Sequence, residues 1–514
     1  MVESRVQKSL MNAKVNLVFY FVFLCLSFFS RKIFLECLGA DFIGLTGTLG
    51  NILSFLSLAE MGVGTAVGYT LYKPIQQKKY AEIDEIVSVF GYLYRKIGLF
   101  ILTGAAIFSL FIPYIFRSSD FSLGVIYFAF FSILLSSLFS YFINYRQILL
   151  TSDQKGYIVT AYLQSAVFVK ILLQMLLAWS FKNYYLWISI EILFGILSCI
   201  ILNWKIDMEY PWLKVSVPKG RQVYSNHRDI IKTTKQVFVH RIASFLLNQS
   251  DQILIFAFAS LKMVAYYGNY TLIATKIAQV FSTAIDSIGA GVGNLVAEGN
   301  KQRIIYVFWE LMAVRFCIAG ILVFGLYFTI EPFIVLWLGE QFLLDKIVLI
   351  LLLVTIFIGQ IRGPVDIYIS AYGMYADTWA PITEAIINVT VTFIAAYYLG
   401  LSGILIGKIV SMLFIVVGWK PYYLFTSGFK VKLRSFWAGM ARFYASFILS
   451  FLLVYLFKEK FLESLAVSSF TDWVVYSSIV CIPFVIIYLS ALWLWAPGVK
   501  SLFLRILIIL KLRK

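Results

Sequence analysis

The chain has 514 residues, of which 61% are hydrophobic and only 13% charged, and its formal net charge is +17. A soluble domain of that length could not cover so much apolar surface with water-compatible side chains, so lipid must serve as its solvent. The positive balance would suggest nucleic acid in a soluble protein, but here Lys and Arg sit mostly in short connections, where membrane orientation accounts for them. No nucleic-acid partner is implied.

In chain order, apolar stretches about 20 residues long fall near 16–38, 42–72, 97–116, 122–144, 157–179, 184–204, 237–259, 266–296, 304–330, 346–371, 381–399, 402–424, 438–457 and 473–496. A hydrocarbon core about 30 Å thick needs roughly 20 helical residues to cross it. Backbone polar groups must also be satisfied within each segment. The predicted class is therefore an all-α polytopic membrane protein with about fourteen transmembrane helices. Segment 80–96, which mixes charge with apolar positions, reads as an interfacial lead-in to the third span. The first stretch has no small-residue cleavage site and runs on through Arg31 and Lys32, so it is expected to be an uncleaved anchor.

One alternating set of connections carries most of the cations: Arg5, Lys8 and Lys14; Lys73, Lys78 and Lys79; Arg146 and Lys155; Lys205 to Lys235; Lys301 and Arg303; Lys430, Lys432 and Arg434; and Lys500 to Lys514. The opposite set has Arg117, Lys182, Lys262, Lys346, Lys458 and Lys460, with Glu331, Glu340 and Asp345 among them. Both termini are expected on the cytoplasmic side, as an even span count also requires.

The longest connection divides the chain into a six-helix lobe over 1–204, a basic cytoplasmic linker over 205–236 and a second six-helix lobe over 237–425. Two extra helices and a basic amphipathic tail follow over 426–514. The lobes echo each other, because Gly44 and Gly268, like Asp153 and Asp377, are separated by 224 residues. An uninverted repeat of six spans implies two bundles related by an axis along the membrane normal. The tail VKSLFLRILIILKLRK is expected to lie against anionic headgroups.

The stretch LGADFIGLTGTLGNILSFLSLAEMGVGTAVGYTLYKPI (Leu38 to Ile75), NQSDQILI in the seventh span and YYGNYTLIATKI in the eighth carry a family resemblance. They resemble the polysaccharide-unit flippase branch, the O-antigen or Wzx type, of the multidrug/oligosaccharidyl-lipid/polysaccharide exporter superfamily. The resemblance covers nearly the whole chain. It implies two six-helix lobes around a central cavity plus two further helices. It also implies movement of lipid-pyrophosphate-linked oligosaccharide, for O-antigen or capsular and exopolysaccharide, to the outer face of the bacterial inner membrane. A polysaccharide polymerase or glycosyltransferases are the protein partners it suggests.

An ionisable side chain facing lipid is expensive, about 2.5–3.5 kcal/mol on insertion scales, so intramembrane charges should turn inward. Arg241, Ser244, Asn248 and Asp251 share one face of the seventh span, and Lys276, Gln279, Thr283 and Asp286 share one of the eighth. The first span offers Asn16, Tyr20, Ser27 and Arg31. In the tenth, Arg362, Asp366 and Ser370 surround Pro364, which should kink the helix. Arg31, Arg241, Lys276 and Arg362 are the candidate ligands for pyrophosphate and sugar, because a desolvated phosphate needs fixed positive donors. Glu60, Asp251, Asp286 and Asp366 are candidates for proton or sodium coupling. Asn51, Asn248, Gln279 and Thr283 are polar candidates for the cavity lining. The competing reading is that these groups pair between helices as packing glue, with Arg362 and Asp366 neutralising each other. Lys170, Glu191, Glu310, Arg315, Glu384 and Lys408 lie within spans with no facing assigned.

Cys25, Cys37, Cys199, Cys317 and Cys481 are scattered, and His227 and His240 flank a basic connection, so neither metal nor cofactor is expected. No GxxxxGK[ST] occurs, which argues against an ATP-driven pump. A multidrug or organic-cation antiporter of the same superfamily would share the bundle but should prefer carboxylates and aromatics to cations. A membrane-embedded polysaccharide-assembly enzyme normally needs a sizeable external loop with clustered catalytic groups, and no external connection here exceeds roughly 20 residues. A transporter rather than an enzyme is the reading the sequence favours.

Overall fold

In the computed structural model the described residues are 5–56, 63–117, 119–224, 251–286, 289–374, 376–377, 379–461 and 467–509. They form helices joined by short turns, with no strand among them. Eleven of these helices are long and apolar enough to cross a membrane. The three remaining predicted spans are more polar or fall partly outside the described residues. The 42–72 stretch corresponds to helices Ala40–Leu56 and Val63–Gln77, and the 266–296 stretch to Leu261–Asp286 and Gly289–Glu298. Of the 237–259 stretch, the structure describes helix Asp251–Phe258. The 80–96 segment is no separate interfacial element, because Tyr80–Ser109 is one continuous helix of 30 residues.

Helix starts follow local chemistry. Asn183 accepts a hydrogen bond from the Leu186 amide (3.1 Å), and Asn300 accepts one from the Arg303 amide (3.1 Å). Ser469 and Asp472 form a reciprocal capping box at the head of Phe470–Trp495. These contacts satisfy amide donors that the helix leaves without an internal partner.

The chain divides into two compact units, residues 1–265 and 266–514. In the first, Phe42 anchors an aromatic cluster, stacked on Tyr184 at 4.6 Å between centroids and edge-on to Trp187 at 5.4 Å. Gly44 lies directly against the Leu261 backbone, an approach that any Cβ would block. The start of the predicted linker is docked here. The Lys214 amide donates to Asp84 Oδ1 (2.9 Å), the Ser216 amide donates to Ser88 Oγ (3.1 Å), and helix Val217–Val223 follows.

A polar network closes the turn after Ser152. Lys155 Nζ reaches Glu209 Oε1 at 2.6 Å and Asp153 Oδ2 at 3.3 Å, and the Tyr210 hydroxyl donates to Asp153 at 2.9 Å. Burial pushes the Tyr210 phenol far up, and Asp153 adds to it. Burial alone would lower Lys155, but the Glu209 hydrogen bond and the Asp153 charge outweigh it and raise its pKa. A folded-state pKa above the unfolded one stabilises below the ordinary lysine value and loses that benefit as pH rises through the raised value. Lys155→Met should therefore cost about 1–3 kcal/mol at neutral pH. The Lys155 hydrogen bond in turn holds the Glu209 carboxyl below its ordinary range, so thermal unfolding should show the gap to wild type widest near neutrality and closing both in strong alkali and in acid; a gap that is the same at every pH would contradict this.

The second unit is built around helix Lys301–Leu338, whose 38 residues span about 57 Å at ~1.5 Å per residue. Its buried Phe316 and Phe324 receive the last two predicted spans, Leu433–Phe461 and Phe470–Trp495, which helix Val499–Ile509 follows. Phe324 stacks on Phe484 at 3.7 Å, and Phe316 stacks on Phe443 at 4.5 Å. Tyr488 donates its hydroxyl to the Phe316 carbonyl (2.8 Å), and Trp473 donates its indole N–H to the Thr329 carbonyl (2.9 Å). The two extra spans are thus part of this unit's core.

Candidate functional site

The tenth predicted span breaks where Pro364 requires it. Helix Lys346–Ile361 ends, and Gly363–Ala371 begins with Pro364 in its first turn. Gly363 leaves room for the Arg315 guanidinium, which a Cβ there would approach to 2.9 Å. Tyr368 fixes the second segment by donating its hydroxyl to the Ile304 carbonyl (3.0 Å).

This break places Arg362 and Asp366 one turn apart, with Arg362 Nε donating to Asp366 Oδ2 at 2.6 Å. The other carboxylate oxygen, Oδ1, accepts from Lys420 Nζ at 2.6 Å. Asp366 is therefore held by two cations rather than one, more than the simple i,i+4 neutralisation considered from sequence. Lys420 stands where helix Leu401–Met412 runs on through wide π turns over Leu413–Trp419 and again over Leu424–Gly428. Pro421 supplies a local reason, since it has no N–H to donate and its ring crowds the preceding turn. Nearby, Trp419 donates its indole N–H to Asp377 Oδ2 (3.1 Å). Glu384 is only 4% exposed, and Arg362 and Lys420 are the charges that act on it most, followed by Asp366.

Arg362, Asp366, Glu384 and Lys420 each lie within about ten residues of a helix end next to the 372–378 or 429–432 connection. At ~1.5 Å per residue that places all four roughly 8–14 Å from those ends. All four lie in the half of their spans nearer those connections.

The remaining predicted site residues are distributed differently. Arg31, on helix Arg5–Leu38, donates from Nη2 to the Ala265 carbonyl (2.8 Å) in the first unit. Asn51 donates to the Gly47 carbonyl (2.9 Å) and to the Gln252 side chain, so it ties Ala40–Leu56 to Asp251–Phe258. Asp251 is half-buried beside that tie. Lys276 is half-buried and Gln279 exposed on Leu261–Asp286. Thr283 and Asp286 belong to the same helix, but their side chains lie outside the described residues, as do Glu60, Arg241 and Asn248 altogether. Lys170 pairs with Glu191 at 2.7 Å, which gives two charges of unassigned facing a structural partner in the first unit. Among the described residues no cluster of His, Cys, Asp and Glu could hold a metal. Lys420 was missed from sequence; its signal was a cation beside proline within an apolar span, Trp419-Lys420-Pro421.

No family model matches the chain, and no curated protein matches it in sequence. Solved structures do. The chain is similar to the lipid II flippase MurJ in an inward closed conformation, with a TM-score of 0.66 and 13% identity over 97% of this chain and 100% of that one. It is also similar to a multidrug resistance transporter of the MATE family, of the MOP superfamily, in an inward-facing conformation. There the TM-score is 0.55 and the identity 15%, over 79% of this chain and 95% of that one. The chain thus shares the fold of these two structures, and with eleven helices among its described residues long and apolar enough to cross a membrane it is a multi-pass helical membrane protein.

Proposed function

We propose that the protein is a carrier, not an enzyme, and that it moves a lipid-pyrophosphate-linked oligosaccharide from the cytoplasmic to the outer face of a bacterial inner membrane by alternating access. The observation that carries this reading is the convergence of Arg362 and Lys420 on a single carboxylate inside the spans. A guanidinium and an ammonium held together on one carboxylate are the donors that a pyrophosphate needs when it leaves water. With both termini cytoplasmic, as the distribution of Lys and Arg indicates, these residues lie in the inner half of their spans, where a lipid-anchored pyrophosphate would arrive with its tail still in oil. Arg31 and Lys276 are the further cations of the proposed path.

This fold is shared by a lipid II flippase and by a multidrug transporter, so the cations distinguish the readings. An organic-cation antiporter has little use for paired cations in its spans. Coupling to a proton or a sodium ion would fall to an acidic group such as Asp251, Asp286 or Asp366. A polymerase or glycosyltransferase of polysaccharide assembly would be the natural protein partner.

The test is flipping of a defined polyprenyl-pyrophosphate oligosaccharide in proteoliposomes. Changing Arg31, Lys276 and Arg362 together to Ala should lower the rate at least about tenfold, the loss expected when charge-assisted contacts worth more than ~1.4 kcal/mol are removed. Normal flipping by that variant at matched reconstitution, or transport of organic cations in its place, would refute the reading.

A further inference from the structure

Of the two carboxylates in the Arg362 cluster, Asp366 has a cation on each oxygen, whereas Glu384 has no hydrogen-bond or ion-pair partner among the described residues although it is almost fully buried. We propose that Glu384 takes up a proton when a pyrophosphate diester occupies Arg362 and Lys420, so that cargo binding and protonation are linked at this cluster. The inference rests on the cargo proposed above and adds a specific acid to it.

Charge drives the linkage. With both acids ionised, two cations and two carboxylates sum to zero, and a pyrophosphate diester adds two negative charges. A net charge of −2 in a low-dielectric span is costly, and a carboxylate is the group that can shed charge. Asp366 is the poorer proton acceptor, because protonation would sacrifice two direct charge-assisted contacts. Glu384 would sacrifice none. In the step itself a proton from water forms an O–H bond on the Glu384 carboxylate, and no other bond changes. The charges that act on Glu384 are those of Arg362 and Asp366 from the tenth predicted span and of Lys420 from the twelfth. Glu384 lies little more than one turn past Trp379 at its helix start, which gives a proton a short path from the membrane surface.

The experiment uses the full chain in detergent and, as probe, a farnesyl methyl pyrophosphate diester, which has no ionisable group near neutrality. Binding to wild type should weaken with rising pH by up to tenfold per unit, the slope for one linked proton. About one proton should be taken up per probe bound, with a protonated-carboxyl band appearing in the infrared difference spectrum. Glu384→Gln, close to the same shape, should bind the probe with no pH slope, no uptake and no such band. A slope that survives in E384Q, or wild-type binding without proton uptake, would overturn the inference while leaving the cargo reading intact. Failure of wild type to bind the diester at any pH would overturn both. If E384Q does not fold, Glu384→Ala is read in the same way, and wild-type binding without proton uptake overturns the inference with no variant at all.

Discussion

Asp366→Ala should be less stable than a variant in which Arg362, Asp366 and Lys420 are changed together to Met, Leu and Met, even though the latter removes three charged groups instead of one. The single change leaves a guanidinium and an ammonium facing each other without the carboxylate that now touches both at 2.6 Å. Breaking a fully buried pair costs about 3–5 kcal/mol; here the figure is an upper bound, because the Arg362 and Asp366 side chains are 33% and 32% exposed. Replacing a whole buried ionic cluster with apolar groups of similar volume is often neutral or stabilising. Binding should rank in the opposite order. Whatever fraction of D366A folds keeps both cations and should hold a pyrophosphate diester at least as tightly as wild type, whereas the triple variant should lose measurable affinity. Thermal unfolding in detergent and equilibrium binding of the diester check the two rankings. A triple variant as unstable as D366A would show that the cluster maintains helix geometry, and retained binding in the triple variant would remove these residues from the cargo site.

The class of fold was legible because the physics of oil is coarse: a span needs length and apolarity, and both survive uncertainty about helix ends. The break at Pro364 was legible for a similar reason, since a ring without an N–H acts locally wherever it sits. The 80–96 segment misled because charge along a helix was read as an interfacial element. In the structure Ile83, Ile86, Val87 and Phe90 bury one face of a helix that simply continues, and Asp84 is occupied by the Lys214 amide from far along the chain. Lys420 stayed hidden because helical spacing relates residues on one helix only. Its partner lies on another helix, and the intervening π turns shift its direction away from that of a regular α-helix. Glu384 was visible as an intramembrane acid, but its facing was not. Burial, and the contrast with a doubly paired neighbour, are properties of packing that one sequence does not display.

The hairpin that carries Glu384 offers the other large effect, Gly407→Leu, which should destabilise the second unit by about 1–3 kcal/mol or more. Helices Trp379–Leu399 and Leu401–Met412 are separated by one residue, Gly400, at φ +54° and ψ −127°, a conformation open to glycine and strained for other residues. So short a turn presses the two helices together along their length. Gly403 meets the backbone of Ala395 and Ala396, and Gly407 meets Thr392, whose amide nitrogen would lie 2.6 Å from an added Cβ. In lipid, where apolar side chains gain nothing by leaving solvent, such backbone proximity and van der Waals contact are main sources of helix association. A leucine at 407 cannot be accommodated by a rotamer change, because the obstacle is main chain; the helices must separate. Separation would carry Glu384 away from Arg362 and Lys420, which stand on other segments. The variant should therefore unfold at lower temperature and, in its folded fraction, lose the pH slope of diester binding together with E384Q. Gly407→Ala should show the same changes to a smaller degree. A G407L protein with wild-type stability and an unchanged slope would mean that the close approach is not needed to hold Glu384 at the cluster.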